Sequence, residues 1–561
     1  MTKIETIIKA AAKLNAKQVE THLNRAGAPS YYRSLPEQVV CILTTGTLGD
    51  TYYASGNQLA EEAISVLLEA REKCPDFLAK ALVYARNEGL MKTLPVLGLV
   101  VLSGGKGSCK SLFESVFSRV ILTPDDLRDF VAITVSGKIP GRKGLGGIAR
   151  DAARTWLQGI SEYHAVKYGS ANSREITLRD VLRMSHPKPE SAAIAERFGW
   201  LVKGRKGLNG NVGLNPQIRS LEALKLAATE DEMVALIRQG RLPYEVVVPT
   251  LKATTPAVWG ELLRQAPYFN LLRNLNAFTK QGVFQSEENV RYAVKKLTNP
   301  QAVEHSKVLP FRFFDAWRAY TQNAGSDSRI ADALRAALEI SFVNMPTLGD
   351  RIVAIGTDTS GSMSSPISDK GTTQFIDIAG IFTGALLKRI EGRAIPLPFD
   401  TRIHTDHDLS ARDDVMVTAK KIASYCGGGT AVSAPIQHLL DRKIKTDVFV
   451  GITDNEEWAY GHGYYASGSF LELWRRYRTE INPGAKAFLV TIAPYRDAVA
   501  PSGETGVHFI YGWNDQCLKY ISLKLESGES QIGRIGKIAL GTGSPNGHSS
   551  ENARNAQIDE S

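Results

Sequence analysis

Three separated segments carry oxygen side chains in a pattern that suits a hard cation. Asp358, Ser360 and Ser362 follow the apolar run 351–356 at every second position. Thr430 stands behind three glycines in the stretch 426–435, just ahead of a helical pattern. Asp454 closes a third apolar run in the stretch 451–458. Two carboxylates and three hydroxyls suit Mg2+, which takes oxygen ligands in octahedral geometry and keeps several waters. The absence of His and Cys from the set argues against zinc. A blander explanation is that Ser360 and Ser362 cap the next helix and Asp358 is a turn residue. The Gly-rich Thr loop and the strand-ending Asp, in that order, favour the metal. None of the 10 His residues falls in these loops, and no general base accompanies the hydroxyls, which argues against a catalytic site.

The elements that must position these residues are strands alternating with helices. Apolar runs at 351–358, 393–399, 446–454, 485–495 and 506–513 read as strands, and 374–390, the stretch through 426, and 433–443 read as helices. Near-continuous apolar strands between helices imply a doubly wound parallel sheet covered on both faces. In such sheets ligands bind beyond the carboxyl ends of the strands, where all three segments fall.

Residues 1–345 are of another kind. Apolar residues recur at three- and four-residue spacing in 57–73, 75–89 and 111–122, and the pattern continues to about residue 345 with short Gly, Pro or Asn breaks. Successive helices with short links suggest an α-solenoid. The Gly-rich stretch 103–111 does not match the phosphate-binding GxxxxGK[ST] pattern and reads as a loop between helices. The run 95–105 is apolar but too short to span a bilayer and reads as a buried helix.

The chain of 561 residues exceeds one hydrophobic core. Five scattered cysteines without paired spacing, and an N-terminus without a long apolar stretch, fit neither a disulfide framework nor a secretory leader, and point to the cytoplasm. The net charge of +9 is uneven: residues 101–300 hold 29 Lys and Arg against 18 Asp and Glu, whereas residues 351–561 hold 22 against 24. A localised basic excess points to a polyanion, by default nucleic acid, against the alternative of a solvated helical surface.

The segments "DTSGSMSS", "GGGTAVSAP" and "ITDNEEW" resemble the three loops of a von Willebrand factor A domain with its metal-ion-dependent adhesion site. "LGDTYYASGNQLA", "LRDVLRMSHPKP", "APYFNLLRNLNAFTKQGVF" and "SKVLPFRFFDAWRAY" resemble the TROVE module of the Ro autoantigen family. That resemblance implies a multidomain α + α/β chain. A ring of HEAT-like helical repeats would occupy residues 1–349, the von Willebrand A domain 350–540, and a disordered tail 541–561. It also implies direct or water-mediated metal binding by Asp358, Ser360, Ser362, Thr430 and Asp454, with an open position that takes a partner's carboxylate.

The family likeness further implies a noncoding-RNA-binding scaffold in RNA quality control, not an enzyme. Its ligands would be Y-like RNA and the single-stranded ends of misfolded RNA, with an exoribonuclease as a protein partner, no membrane and a monomeric chain. Lys167 and His186 correspond to RNA-contacting residues of the family, and Arg174 stands where the family carries an arginine, in a segment that departs from its usual pattern. The surrounding basic and aromatic residues Lys138, Arg142, Lys143, Arg150, Tyr168, Arg179, Arg183 and Lys188 complete the expected RNA surface. The competing functions are a metal-dependent phosphoryl hydrolase and a protein-adhesion module.

Overall fold

The computed structural model describes residues 22–541 apart from 170–174, 209, 211–212, 252–253, 343–344, 368–371 and 514. Arg174 and nearly all of the expected tail lie outside the described residues. The chain divides into two compact units. One runs to Val101 and takes in Leu309–Asp315 and Ser341–Ala539; the other comprises mainly Leu102–Val308 and Ala316–Ile340.

The first unit is built on strands. In chain order these are β1 (His22–Leu23), β2 (Pro29–Tyr32), β3 (Ile352–Asp358), β4 (Arg393–Phe399), β5 (Val448–Thr453), β6 (Lys486–Thr491), β7 (Asp497–Ala498) and β8 (Val507–Tyr511). Five of them form a parallel sheet in the order β4-β3-β5-β6-β8. Each coincides with an apolar run read from the sequence. β5 is buried along its whole length, as a strand covered on both faces must be.

Alternate side chains pack against different helices. Ala354, Phe449 and Leu489 join a core with Ile436 and Leu439 of helix Ala434–Asp441 and with Phe470 and Trp474 of helix Phe470–Glu480. Thr357, pointing the other way, meets Thr383 of helix Phe375–Leu387 through a 2.6 Å hydroxyl pair. From β3 the chain moves to β4 on one side and then returns past β3 to β5 on the other. The carboxyl ends of β3 and β5 therefore flank the point where strand order reverses, the usual ligand crevice of such sheets.

Residues 22–45 belong to this unit as well. β2 pairs antiparallel with β1 and β7. The fully buried Arg33 donates to the Tyr495 carbonyl and sits 5.7 Å and 5.5 Å from the rings of Phe509 and Tyr511. A cation on two aromatic faces gains attraction, to which the charges of Asp497 and Glu37 add.

The second unit is helical throughout its described residues. Tryptophans tie neighbouring helices together: Trp156 donates to the Ile121 carbonyl at 2.7 Å and Trp200 to Glu222 at 2.9 Å. Buried indoles seek such partners because an unpaired N–H is costly. The apolar run near residue 95 is the buried helix Thr93–Ser103, and the Gly-rich stretch after it turns into helix Cys109–Val120.

Candidate metal centre and nucleic-acid interface

The three oxygen-bearing loops converge at the β3–β5 end of the sheet. Asp358 is the last residue of β3, and Asp454 follows the last residue of β5. Backbone bonds lash the Thr430 loop to both neighbours. Gly427 N donates to Thr359 O at 2.8 Å, and Gly361 N donates to Gly428 O at 3.1 Å. Trp458 N and Ala459 N both donate to Thr430 O at 3.0 Å. Glu457 adds a side-chain tie, accepting from Ser433 N at 2.6 Å and from Phe470 N at 2.9 Å. The glycines are needed for this closeness. A Cβ on Gly429 would stand 2.3 Å from the Trp458 ring, and one on Gly428 would stand 2.7 Å from the Asp400 carboxylate, at a φ of +66°.

The five side chains lie together and are almost sealed: Asp358 and Thr430 are 0% exposed, Ser360 and Asp454 1%, and Ser362 3%. Asp358 Oδ1 accepts from Ser360 N at 2.9 Å, and Oδ2 accepts from Thr453 Oγ1 at 2.6 Å. Ser360 Oγ and Ser362 Oγ are 3.1 Å apart. Burial, and then the neighbouring Asp454, push the Asp358 carboxyl up to about 7, against the hydrogen bonds that favour its ionised form. Burial raises Asp454 too. Among the described residues, no ion pair joins Lys or Arg to either carboxylate.

Two atoms of the set are orphaned. Thr430 Oγ1 and Asp454 Oδ2 are buried with no hydrogen-bond partner. An unpaired buried acceptor costs about 1–3 kcal/mol, so such atoms call for an explanation. A hard cation bound by these oxygens supplies one, because it would satisfy both atoms and counter two buried negative charges. The donor chemistry fits Mg2+. Among the described residues, no group of three or more His, Cys, Asp or Glu side chains suits a metal.

Sequence reasoning missed two groups around the set. Thr453 is the hydroxyl that holds Asp358 Oδ2. Its place one residue before Asp454 at a strand end was the available signal. Tyr53 turns its hydroxyl toward Ser362 and Thr430 and feels the Asp454 charge. No spacing rule connects it to residues three hundred positions away.

The expected RNA residues fall into two sets. Lys138, Lys143, Arg150, Arg179, Arg183, His186 and Lys188 are exposed. His186 is no buried histidine: it ends helix Leu178–Ser185 in the left-handed conformation at φ +52°, its N–H bonded to Leu182 O at 2.9 Å. Thr177 and Asp180 cap the other end of that helix and fix its first turn. Nearby, Arg154 donates to the Ser185 carbonyl, and Gln158 donates to Lys188 O at 2.8 Å. These bonds hold the 185–190 turn on helix Gly147–Gln158.

Arg142, Lys167 and Tyr168 are half-buried and engaged. The Arg142 guanidinium donates to Gly144 O at 3.0 Å and Ser103 O at 3.4 Å. Burial lowers its pKa. Lys167 Nζ lies 3.4 Å from Glu245, 5.4 Å from the Tyr163 ring and 5.8 Å from the Tyr168 ring.

The TROVE domain model matches residues 246–348, and the Ro60 vWA domain model matches residues 352–523. The two matched segments follow one another, a TROVE segment and then a Ro60 vWA segment. RNA-binding protein RO60 of Deinococcus radiodurans is 26% identical over 467 residues, covering 80% of this chain and 85% of that protein. RNA-binding protein RO60 of Caenorhabditis elegans is 26% identical over 468 residues, covering 71% of this chain and 69% of that one. The crystal structure of the Deinococcus radiodurans RO (RSR) protein superposes with a TM-score of 0.59 at 18% identity, across 87% of this chain and 99% of that one. That likeness fixes the fold: a helical region followed by a parallel-sheet vWA domain. The candidate oxygen set lies wholly within the Ro60 vWA match, while the expected RNA residues lie before the matched TROVE segment. Among the described residues, no helix is long and apolar enough to cross a membrane.

Proposed function

We propose that this protein binds noncoding RNA through the basic stretch of its helical unit and acts as a scaffold rather than a catalyst. The observation that carries the reading is the run of exposed cations Lys138, Lys143, Arg150, Arg179, Arg183 and Lys188 within a stretch holding the chain's positive excess. The names of the RO60 relatives point the same way. Exposed Lys and Arg neutralise phosphates and release counterions, and the exposed His186 ring can stack on an unpaired base. Y-like RNA and the single-stranded ends of misfolded RNA are the proposed ligands, in the cytoplasm. A ring of helical repeats with a basic opening would admit one strand more readily than a duplex. Protein purified without nuclease should carry RNA, seen as a raised 260/280 nm absorbance ratio that nuclease removes. Nucleic-acid-free protein at low salt would contradict the reading.

Asp358, Ser360, Ser362, Thr430 and Asp454 would hold one Mg2+-type ion, whose chemistry is to offer a Lewis-acidic position to an anionic group. Their burial, with none of the five more than 3% exposed, supports a role without hydrolysis. A divalent ion that binds only the folded chain stabilises it by mass action. Mg2+ should raise the melting temperature of the parent and leave that of Asp358→Ala unmoved; equal responses would show that the ion binds elsewhere. An exoribonuclease partner would be recruited by the complex as a whole.

A further inference from the structure

A metal site that docks another protein's carboxylate needs at least one donor facing solvent. Here no donor is more than 3% exposed. Part of the cover comes from the chain itself. The Tyr53 hydroxyl faces Ser362 and Thr430, while Thr430 Oγ1 has no hydrogen-bond partner in place. Tyr53 is not a chance neighbour, because its loop is braced at both ends. Thr51 N donates to Ala54 O at 2.8 Å, and Gly56 N donates to Asp50 Oδ1 at 2.8 Å. A Cβ on Gly56 would stand 2.3 Å from Leu48 O, so the turn closes tightly on itself.

The loop is also fastened to the vWA domain. Tyr52 N donates to Ser365 Oγ at 2.8 Å, three residues beyond Ser362. The Tyr53 ring meets Tyr495 edge-on at 6.0 Å. The neighbouring side chain, Tyr52, is 66% exposed, so the loop reaches the surface, while Ala54 behind it is only 5% exposed.

We propose that Tyr53 is the chain's own occupant of the metal site's open face, so that the loaded site clasps the Asp50–Gly56 loop and admits an outside carboxylate only when that loop leaves. This rests on the metal reading above. The clasp makes two demands. Metal loading must steady the loop, and removing the phenol must open the site. A carboxylate that binds only the loop-open state has its affinity reduced by the fraction of molecules in that state.

The test uses the full chain, Mn2+ as the metal and acetate as the probe carboxylate. Mn2+ should raise the melting temperature of the parent and slow amide hydrogen exchange across 50–56, and Asp358→Ala should abolish both effects. With Mn2+ bound, Tyr53→Ala should bind acetate at least about tenfold more tightly than the parent, and Tyr53→Phe should fall between them. Should Tyr53→Ala fail to fold, Tyr53→Phe, which keeps the ring on Tyr495, decides together with the exchange data. Equal acetate affinity in parent and Tyr53 variants, with Mn2+ bound, would overturn the clasp and leave the metal site standing. No response of the parent to Mn2+ would overturn the metal site and the clasp with it.

Discussion

The Asp-x-Ser-x-Ser signal held although the strand ends at Asp358: Ser360 follows it and Ser362 sits in the 3-10 turn Gly361–Ser364, which brings the two hydroxyls to 3.1 Å. Thr430 and Asp454 join them through backbone bonds that no spacing encodes. Tyr53 was invisible for that reason. Other residues owe their chemistry chiefly to burial. His508 on β8 packs against Phe488 at 5.2 Å, and burial, then Lys524 and Lys486, lower its pKa from 6.5 to about 4. The unfolded chain takes up this proton below about 6.5, but the folded chain resists until about 4, so His508 contributes stability above that window and the contribution is lost as pH falls through it. His508→Gln should therefore lose less stability than the parent between pH 7 and pH 5. Urea midpoints at the two pH values measure this, and equal losses would show that His508 is not held neutral.

At the scale of elements, the five sheet strands matched the apolar runs because two-sided burial leaves a continuous hydrophobic signature. The loops between them were legible in composition but not in path. Their paths follow from close approaches such as Gly429 against Trp458. Gly429→Ala should cost about 1–3 kcal/mol by overpacking and should blunt the melting response to Mg2+, although no donor is altered. Thermal unfolding with and without Mg2+ tests it; a variant with parental stability and response would mean that the loop yields freely. Residues 22–45 were harder to place. Nothing in their pattern sets them apart from the rest of the first 345 residues, and it is tertiary contacts such as β2 with β7 and Arg33 with Tyr495 that attach them to the α/β unit.

For the whole molecule, the uneven charge was plain in the sequence, but its availability was not. The structure spends Arg142 on backbone carbonyls and sets Lys167 beside Glu245, whereas Lys138, Lys143 and Arg150 are exposed. Phosphate contacts should therefore come first from the exposed group. Each contact to a single strand contributes about −0.7 to the slope of log affinity against log salt. The most direct test is filter binding of one single-stranded-tailed RNA across a salt series, comparing the parent with a Lys138→Ala, Lys143→Ala, Arg150→Ala triple variant. Binding should weaken steeply with salt in the parent, and the variant should bind more weakly with a slope shallower by about 2. Salt-independent binding, or a variant with the parental slope, would contradict the assignment of this basic stretch as the RNA surface.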